Sequence, residues 1–367
     1  MVRLSQGDPC QGDPCQGDPF AGLEEPGIRR FMAESDRLYP ANAVAFSMPE
    51  QRAFYDRMCA HFRKARPVGI AVDDRTVQGP DGPVAVRIYR PSPEPVLPEP
   101  DLPVLVYLHG GGFVVGGLDS HDDICAELAE RADLAVVAVD YRLAPEHRFP
   151  AAFDDCWAVL AALAGGKLGL ETTRIAVAGD SAGGNLAAAV AMHARDLGGP
   201  RLAGQVLIYP GLGGDMARGS YIEQAAAPGL TTADVAYYKS VYVGPPEAPN
   251  HRNKLASPLK ETRYTDLSPA FLVAAHWDPL RDDCLDYAAR LTAAGVPAQV
   301  RHEALLPHAF LRARHMSPAA AASFTAIAEA ARSLAHCGRL PAKDSPMDPP
   351  GVMALPGLDP GIDRATQ

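Results

Sequence analysis

Apolar runs of five or six residues alternate with longer segments of helical character along the chain from Pro103 onward. The apolar runs predict strands near 104–108, 135–139, 174–178, 204–209, 270–275 and 297–302. The segments between them predict helices near 119–131, 151–164, 182–196 and 282–294, with a closing helix near 319–335. Regular alternation of this kind is typical of a mostly parallel sheet covered by helices on both faces, so the predicted fold class is α/β.

The part of the chain before this pattern contains one helix signal and one hairpin signal. The apolar side chains of Phe54, Met58 and Phe62 are four residues apart and predict an amphipathic helix from Pro49 to Lys64. Ser47 is the predicted cap of this helix. Two β-rich runs, 70–77 and 84–89, flank the turn sequence Gly79-Pro80-Asp81-Gly82 and predict a hairpin. The proline-rich stretch 91–103 is then expected to be a surface connection.

A serine stands where one predicted strand turns into the next predicted helix. The apolar run 175–178 is followed directly by Gly179-Asp180-Ser181-Ala182-Gly183-Gly184. A sharp strand-to-helix turn at Gly-x-Ser-x-Gly exposes the serine oxygen over the helix N-terminus, which is how a serine nucleophile is built. The motif also recurs by chance, so its weight depends on a second sequence earlier in the chain.

That second sequence is His109-Gly110-Gly111-Gly112-Phe113, which closes the apolar run 104–108. Three consecutive glycines cost backbone entropy, and a flexible strand-to-loop turn is the plain alternative explanation for them. Bare backbone N–H groups can, however, approach a substrate oxygen and stabilise the negative charge that develops in acyl transfer. We therefore expect an oxyanion hole formed by Gly111, Gly112 and Ala182.

These two motifs together resemble the hormone-sensitive-lipase-like family of α/β-hydrolases, in the branch whose serine motif reads Gly-Asp-Ser-Ala-Gly-Gly. Three further segments match this family in order and spacing: Asp140–Glu146 after a predicted strand, Asp278–Asp282 and His308–Phe310. The resemblance extends over about residues 102–334. It implies an α/β-hydrolase fold with a helical cap and a Ser-His-Asp triad that hydrolyses esters.

The base that activates Ser181 must be chosen among eleven histidines. Catalytic groups in such sheets follow the carboxyl ends of the strands. His308 lies in the loop after the last predicted strand, whereas His302 lies within that strand and His315 lies near the closing helix. His308 is therefore the predicted base.

The acid that orients His308 is predicted by the same rule. Asp278 is the first acidic residue after the apolar run 271–275. Asp282 and Asp283 are expected on the first turn of the next helix, where acidic side chains favour the helix dipole without any role in catalysis. The order Ser181, Asp278, His308 is that of α/β-hydrolases. His109 is expected to brace the glycine loop, and Asp180 is expected to hydrogen-bond to a neighbouring loop.

Composition narrows the possible partners. The net charge of −10 argues against nucleic acid and anionic membrane surfaces as partners. No stretch is long enough for a membrane span, no signal peptide is visible, and seven scattered cysteines show no metal-like spacing. We therefore predict a cytoplasmic protein with no cofactor and no metal. Cys10 and Cys15 lack the further ligands that a metal site would need.

The predicted organisation has four parts. Residues 1–21, with a repeated Gly-Asp-Pro-Cys-Gln unit, and residues 337–367 are predicted to be flexible tails. Residues 22–68 are predicted to form N-terminal cap helices, and 69–336 the catalytic domain. Residues 211–268 interrupt the strand-helix alternation and are predicted to be a cap insertion, with Tyr237, Tyr238 and Tyr242 at near-helical spacing. Packing of these tyrosines against the main domain is an equally good explanation for any one of them.

The leading functional hypothesis is a serine carboxylesterase that hydrolyses short- to medium-chain acyl esters through an acyl-enzyme intermediate. Its expected partner is a small-molecule ester, and the sequence is compatible with a homodimer. An amidase or deacetylase would use the same residues. A non-catalytic binding protein of the same fold would be expected to lack the base, and His308 is present. A long-chain lipase is disfavoured because no extended apolar surface segment is visible.

Overall fold

The computed structural model describes residues 18, 20–91, 102–170, 174–245 and 247–342. The strands are β1 (Ile70–Gly79), β2 (Gly82–Pro91), β3 (Val104–Leu108), β4 (Ala135–Asp140), β5 (Ile175–Asp180), β6 (Leu202–Ile208), β7 (Ala270–Trp277) and β8 (Ala298–Pro307). The helices are α1 (Pro26–Leu38), α2 (Met48–Phe62), α3 (Asp122–Ala132), α4 (Ala151–Ala164), α5 (Ala182–Leu197), α6 (Ser220–Glu223), α7 (Thr232–Val243), α8 (Arg281–Ala293) and α9 (Pro318–Cys337). Short 3₁₀ turns span Ala43–Ala45, Leu118–Ser120, Pro249–Arg252, Pro258–Lys260 and Phe310–Ala313.

The strands form one eight-stranded sheet in the order β1-β2-β4-β3-β5-β6-β7-β8. The pairs β1–β2 and β2–β4 are antiparallel, and all other neighbours are parallel. The α/β prediction and the hairpin prediction are thereby confirmed. Because β3, β5, β7 and β8 run in the same direction, the loops that follow them meet at one edge of the sheet, where ligands bind in folds of this type.

The core occupies both faces of the sheet. Along β3, Val104, Val106 and Leu108 belong to one apolar cluster, which also contains side chains of α4, α5 and α8. Leu105 and Tyr107 point to the opposite face and pack with side chains of α1, α2, α3 and α9. This alternation follows from the two-residue period of a strand. Burial on both faces explains why the central strands appear in the sequence as continuous apolar runs.

The N-terminal region contains two helices. The predicted helix α2 is present and begins with a capping box formed by Ser47 and Glu50. The sequence patterns had not located α1 individually. Glu25 caps α1 by accepting the N–H groups of Gly27 and Ile28, and its buried face carries Ile28, Phe31 and Met32.

These helices contact the segment that follows β6. The hydroxyl groups of Tyr39 and Tyr238 lie 3.0 Å apart. Gln51 Nε2 donates a 3.1 Å hydrogen bond to the hydroxyl of Tyr237. One turn after Tyr238 on α7, the ring of Tyr242 stacks on Phe113 with centroids 3.7 Å apart. Helix α7 is therefore held between the N-terminal helices and the glycine loop after β3.

Several sequence predictions concern residues outside the described ranges: most of the repeat segment with Cys10 and Cys15, most of the proline-rich connection, and nearly all of the C-terminal tail. Within the described ranges, Cys125, Cys156 and Cys284 are free and buried. No helix in the described part of the chain combines the length and apolar character needed to cross a membrane.

Candidate active site

Ser181 occupies a strained turn between β5 and α5. Its backbone has φ 53° and ψ −117°, a conformation that few non-glycine residues adopt. The chain is so close to its neighbours here that a Cβ on Gly183 would overlap the carbonyl oxygen of Leu108. A Cβ on Gly179 would likewise overlap Gly183. The two glycines of Gly-x-Ser-x-Gly are thus required by close packing on either side of the serine.

The structure brings Ser181, His308 and Asp278 together in a chain of hydrogen bonds. His308 Nε2 lies 3.0 Å from Ser181 Oγ, and His308 Nδ1 lies 2.7 Å from Asp278 Oδ2. Because a carboxylate can only accept, His308 Nδ1 carries the proton, and Nε2 is left to accept the serine proton. Asp278 is fully buried, and its second oxygen accepts the N–H of Leu280 at 2.8 Å.

The other candidate histidines have other partners. The side chain of His302 faces His276 across β7 and β8, with ring nitrogens 3.3 Å apart. His315 Nε2 lies 2.6 Å from a carboxylate oxygen of Glu127, in the direction of α3. Neither His302 nor His315 contacts Ser181 among the described residues.

The two acidic residues on the first turn of α8 also stay apart from His308. Asp282 accepts the N–H of Ser220 at 2.8 Å. Asp283 accepts the N–H of Leu212 at 2.6 Å and the hydroxyl of Tyr221 at 3.2 Å. Burial raises the pKa of Asp283 to about 7. Its role is therefore to hold the loop after β6, which differs from the dipole explanation offered by its sequence position alone.

Asp180 fixes the glycine loop to the serine turn. Its Oδ1 accepts hydrogen bonds from the N–H of Gly110 at 3.0 Å and from the hydroxyl of Tyr107 at 2.8 Å. Burial alone would raise the pKa of Asp180, but His121, the hydroxyl of Tyr107 and the charge of Arg312 together more than offset it, so the pKa lies well below its usual range. The predicted supporting role of Asp180 is confirmed.

His109 packs beneath the same loop. Its ring stacks on Tyr141 with centroids 4.2 Å apart, and its Nδ1 lies 2.9 Å from the carbonyl oxygen of Gly110. Burial and the nearby His121 lower the pKa of His109 to about 3. A neutral, buried ring stacked in this way braces the loop, as predicted.

The three predicted oxyanion donors lie on either side of Ser181. Gly111 and Gly112 have φ of 133° and 59°. Gly112 and Ala182 line a pocket that also contains Ser181, whereas Gly111 does not line it. Among the hydrogen bonds formed within the described ranges, none uses the N–H of Gly111, Gly112 or Ala182. At the wall of the pocket, the N–H groups of Gly112 and Ala182 are therefore without a partner within the described ranges.

The sequence was compared with known families and proteins. Residues 105–312 match the family described as "alpha/beta hydrolase fold", and residues 49–145 match the carboxylesterase family. This chain belongs to the α/β-hydrolase family. The predicted resemblance to its hormone-sensitive-lipase-like branch is confirmed.

Relatives of this α/β-hydrolase are named as esterases. Esterase LipI of Mycobacterium tuberculosis is 44% identical over 68% of this chain and 78% of its own length. Carboxylic ester hydrolase LipN of the same organism is 36% identical over 85% of this chain and 83% of its own length. The crystal structure of an esterase from Pyrobaculum calidifontis superimposes with a TM-score of 0.74 at 34% identity, covering 83% of this chain and 98% of that one.

The pocket of this α/β-hydrolase has a volume of about 570 Å³, counting its open mouth. Apolar and aromatic side chains dominate its walls: Phe113, Met216, Tyr221, Leu230, Val235, Tyr238, Tyr242 and Leu280. Asn185, Lys239 and Ser257 also line it, and the sequence analysis identified none of the three. The one sequence signal that could have identified Lys239 is its helical spacing, since it lies one turn after Val235 on the same helical face.

No group of three or more histidine, cysteine, aspartate or glutamate side chains is placed to hold a metal ion anywhere in the described ranges.

Proposed function

We propose that this α/β-hydrolase is a serine carboxylesterase in which Ser181 is the nucleophile, His308 the base and Asp278 the residue that orients the base. Family membership and the names of the relatives give the class of reaction, hydrolysis of carboxylic esters. The observation that carries the assignment of residues is the hydrogen-bond chain that ends at Ser181 Oγ on the wall of the pocket.

The first half of the proposed reaction forms an acyl-enzyme. Ser181 Oγ attacks the ester carbonyl carbon while His308 Nε2 takes the serine proton. Asp278 stabilises the resulting imidazolium through its 2.7 Å contact with Nδ1. Negative charge develops on the carbonyl oxygen, and the N–H groups of Gly112, Ala182 and Gly111 are proposed to stabilise it.

The second half returns the enzyme to its starting state. His308 gives its proton to the departing alcohol, which leaves the acyl group on Ser181. Water then attacks the acyl carbon while His308 takes a proton from that water. The bond between the acyl carbon and Ser181 Oγ breaks, and His308 returns the proton to Ser181 Oγ.

We also propose the division of the chain that places a cap over this site. Residues 22–68 and 211–268 would form the cap, and the rest of 69–336 the catalytic domain. The contacts of Tyr39 with Tyr238 and of Gln51 with Tyr237 support a cap built from both segments.

Short- to medium-chain acyl groups are the proposed substrates because the pocket is small and walled by aromatic side chains. Purified protein is assayed with p-nitrophenyl esters of increasing acyl length, beside Ser181→Ala. We expect turnover that is highest for short chains and absent in the variant. Turnover that persists in Ser181→Ala contradicts the assignment, and turnover of anilides but not esters moves the proposal to an amidase.

A further inference from the structure

One face of α7 forms a wall of the pocket, and it carries a lysine. Val235, Tyr238, Lys239 and Tyr242 follow the i, i+3, i+4, i+7 spacing of a single helical face, and all four line the pocket. Lys239 is half-buried in this wall. A core-facing helical stripe is normally apolar, and lysine side chains are mostly exposed. The position of Lys239 therefore requires an explanation from the pocket itself.

Other residues of this pocket carry buried polar atoms that lack partners. Within the described part of the chain, Asn185 Oδ1, Tyr242 Oη and Ser257 Oγ have no hydrogen-bond partner. These residues are 2%, 1% and 0% exposed. The amide nitrogen of Asn185 is satisfied, since it donates to the carbonyl oxygens of Gly211 and Ala256. Only its oxygen is left open.

The charge of Lys239 is not neutralised by an ion pair with any carboxylate of the described residues. The acidic residue whose charge it feels most is Asp283. That carboxylate is engaged by the N–H of Leu212 and the hydroxyl of Tyr221, and its pKa is raised to about 7 by burial. Asp283 is thus only partly ionised at neutral pH. Burial lowers the pKa of Lys239, as expected for an ammonium group without a close counter-ion.

A purely apolar acyl chain would give none of these groups a partner and would displace water from the half-buried Lys239. Burying an unpaired hydroxyl, amide oxygen or ammonium is unfavourable. Lys239, Ser257 and Tyr242 can all donate, and Asn185 alone offers only an acceptor. The ligand that satisfies most of them is one rich in acceptor oxygens and negatively charged.

We propose that the pocket selects esters that carry an anionic group, in the simplest case a carboxylate, bound by Lys239 with Ser257 while the scissile carbonyl lies at Ser181. This inference rests on the proposed esterase function and names the substrate class of the same site. The anion could belong to the acyl chain or to the alcohol, and the two sources need separate substrates.

The test compares matched esters that differ only in charge. Monoethyl adipate and its neutral amide, ethyl adipamate, place the difference on the acyl side. 4-Acetoxybenzoate and 4-acetoxybenzamide place it on the alcohol side. In at least one pair, we expect the wild-type protein to favour the anionic ester in kcat/KM by about tenfold or more, since one partner of a desolvated charge pair is worth at least that.

Lys239→Met removes the charge and is expected to abolish this preference, chiefly by raising KM for the anionic ester. Lys239→Gln repeats the test if the methionine variant does not fold. Lys260→Met is the matched control, because Lys260 is exposed, lies outside the pocket wall, and is close enough for its charge to be felt at Lys239. We expect Lys260→Met to keep the full preference.

The inference is overturned if the wild type shows no anionic preference in either pair, or if Lys239→Met retains it, or if Lys260→Met loses it equally. Turnover of the neutral esters that depends on Ser181 leaves the proposed esterase intact in all three cases. If no ester is hydrolysed, calorimetry with monoethyl adipate and with 4-acetoxybenzoate decides the point. Binding of either ester that Lys239→Met abolishes supports the anion site, and absent or unchanged binding of both overturns it.

Discussion

A methyl group at position 112 is expected to disable the proposed oxyanion hole. The backbone of Gly112 has φ +59°, and an added Cβ would lie 2.7 Å from Cγ of the Tyr238 ring. Real Cβ atoms essentially never approach another atom within 3.0 Å, so either the ring or the glycine loop must move. Tyr238 is held by its hydrogen bond to Tyr39, which favours movement of the loop that carries the N–H groups.

The magnitude has two parts. A left-handed backbone with a Cβ costs roughly 1–2 kcal/mol of stability. Displacing one oxyanion donor costs on the order of a hundred- to a thousandfold in kcat, or about 3–4 kcal/mol of transition-state stabilisation. Gly198→Ala separates the two, because Gly198 has φ +60° and nothing within 4 Å of an added Cβ. That control is expected to bear the cost of the left-handed backbone without the catalytic effect.

The assay measures kcat for p-nitrophenyl butyrate and the melting temperature for both variants. We expect both variants to have a lower melting temperature, with the larger decrease in Gly112→Ala because of the overlap with Tyr238. The kcat should be nearly unchanged in Gly198→Ala and reduced at least a hundredfold in Gly112→Ala. Wild-type kcat in a folded Gly112→Ala protein would refute the role assigned to the N–H groups of this loop.

Three further perturbations have defined outcomes. Asp278→Asn should leave the fold intact and lower kcat by about ten-thousandfold, since His308 would lose the partner that fixes its tautomer; a loss of less than about tenfold in steady-state kinetics speaks against this. Burial lowers the pKa of His109 to about 3, so at low pH the unfolded chain binds a proton that the folded protein does not bind. The free energy of unfolding should therefore fall by up to about 4–5 kcal/mol as the pH drops from about 6.5 towards 3. In His109→Gln, the free energy of unfolding measured with urea should depend less steeply on pH over that range. Burial raises the pKa of Asp283 to about 7, so the folded protein keeps a proton that the unfolded chain releases. The free energy of unfolding should therefore decline by up to roughly 4 kcal/mol as the pH rises from about 4 to 7. An equally steep decline in Asp283→Asn would exclude this carboxyl as the cause.

The sheet and the hydrogen-bonded arrangement of Ser181, His308 and Asp278 were predictable because each depends on local sequence. A strand buried on both faces is a continuous apolar run, and a cramped turn into a helix requires glycines such as Gly179 and Gly183 around Ser181. His308 and Asp278 were distinguished from their rivals by position, since each is the first suitable group after the carboxyl end of a parallel strand.

The pocket was not predictable in the same way. Asn185 and Ser257 lie far apart in sequence, and they meet only because the segment after β6 folds back over the serine turn. That segment has no strand-helix alternation to read, and its main helix has both half-buried and exposed faces. Asp283 shows a related limit: an acidic residue on the first turn of a helix has the same sequence pattern whether it faces solvent or holds a buried loop.

The most direct test of the esterase is to identify the atom that is acylated. The protein is mixed with p-nitrophenyl acetate, quenched in acid before turnover is complete, digested and examined by mass spectrometry. A single acetyl group on the peptide that contains Ser181, absent in Ser181→Ala, is the expected result. Acetylation of another residue during turnover, or undiminished turnover by Ser181→Ala, would contradict Ser181 as the nucleophile.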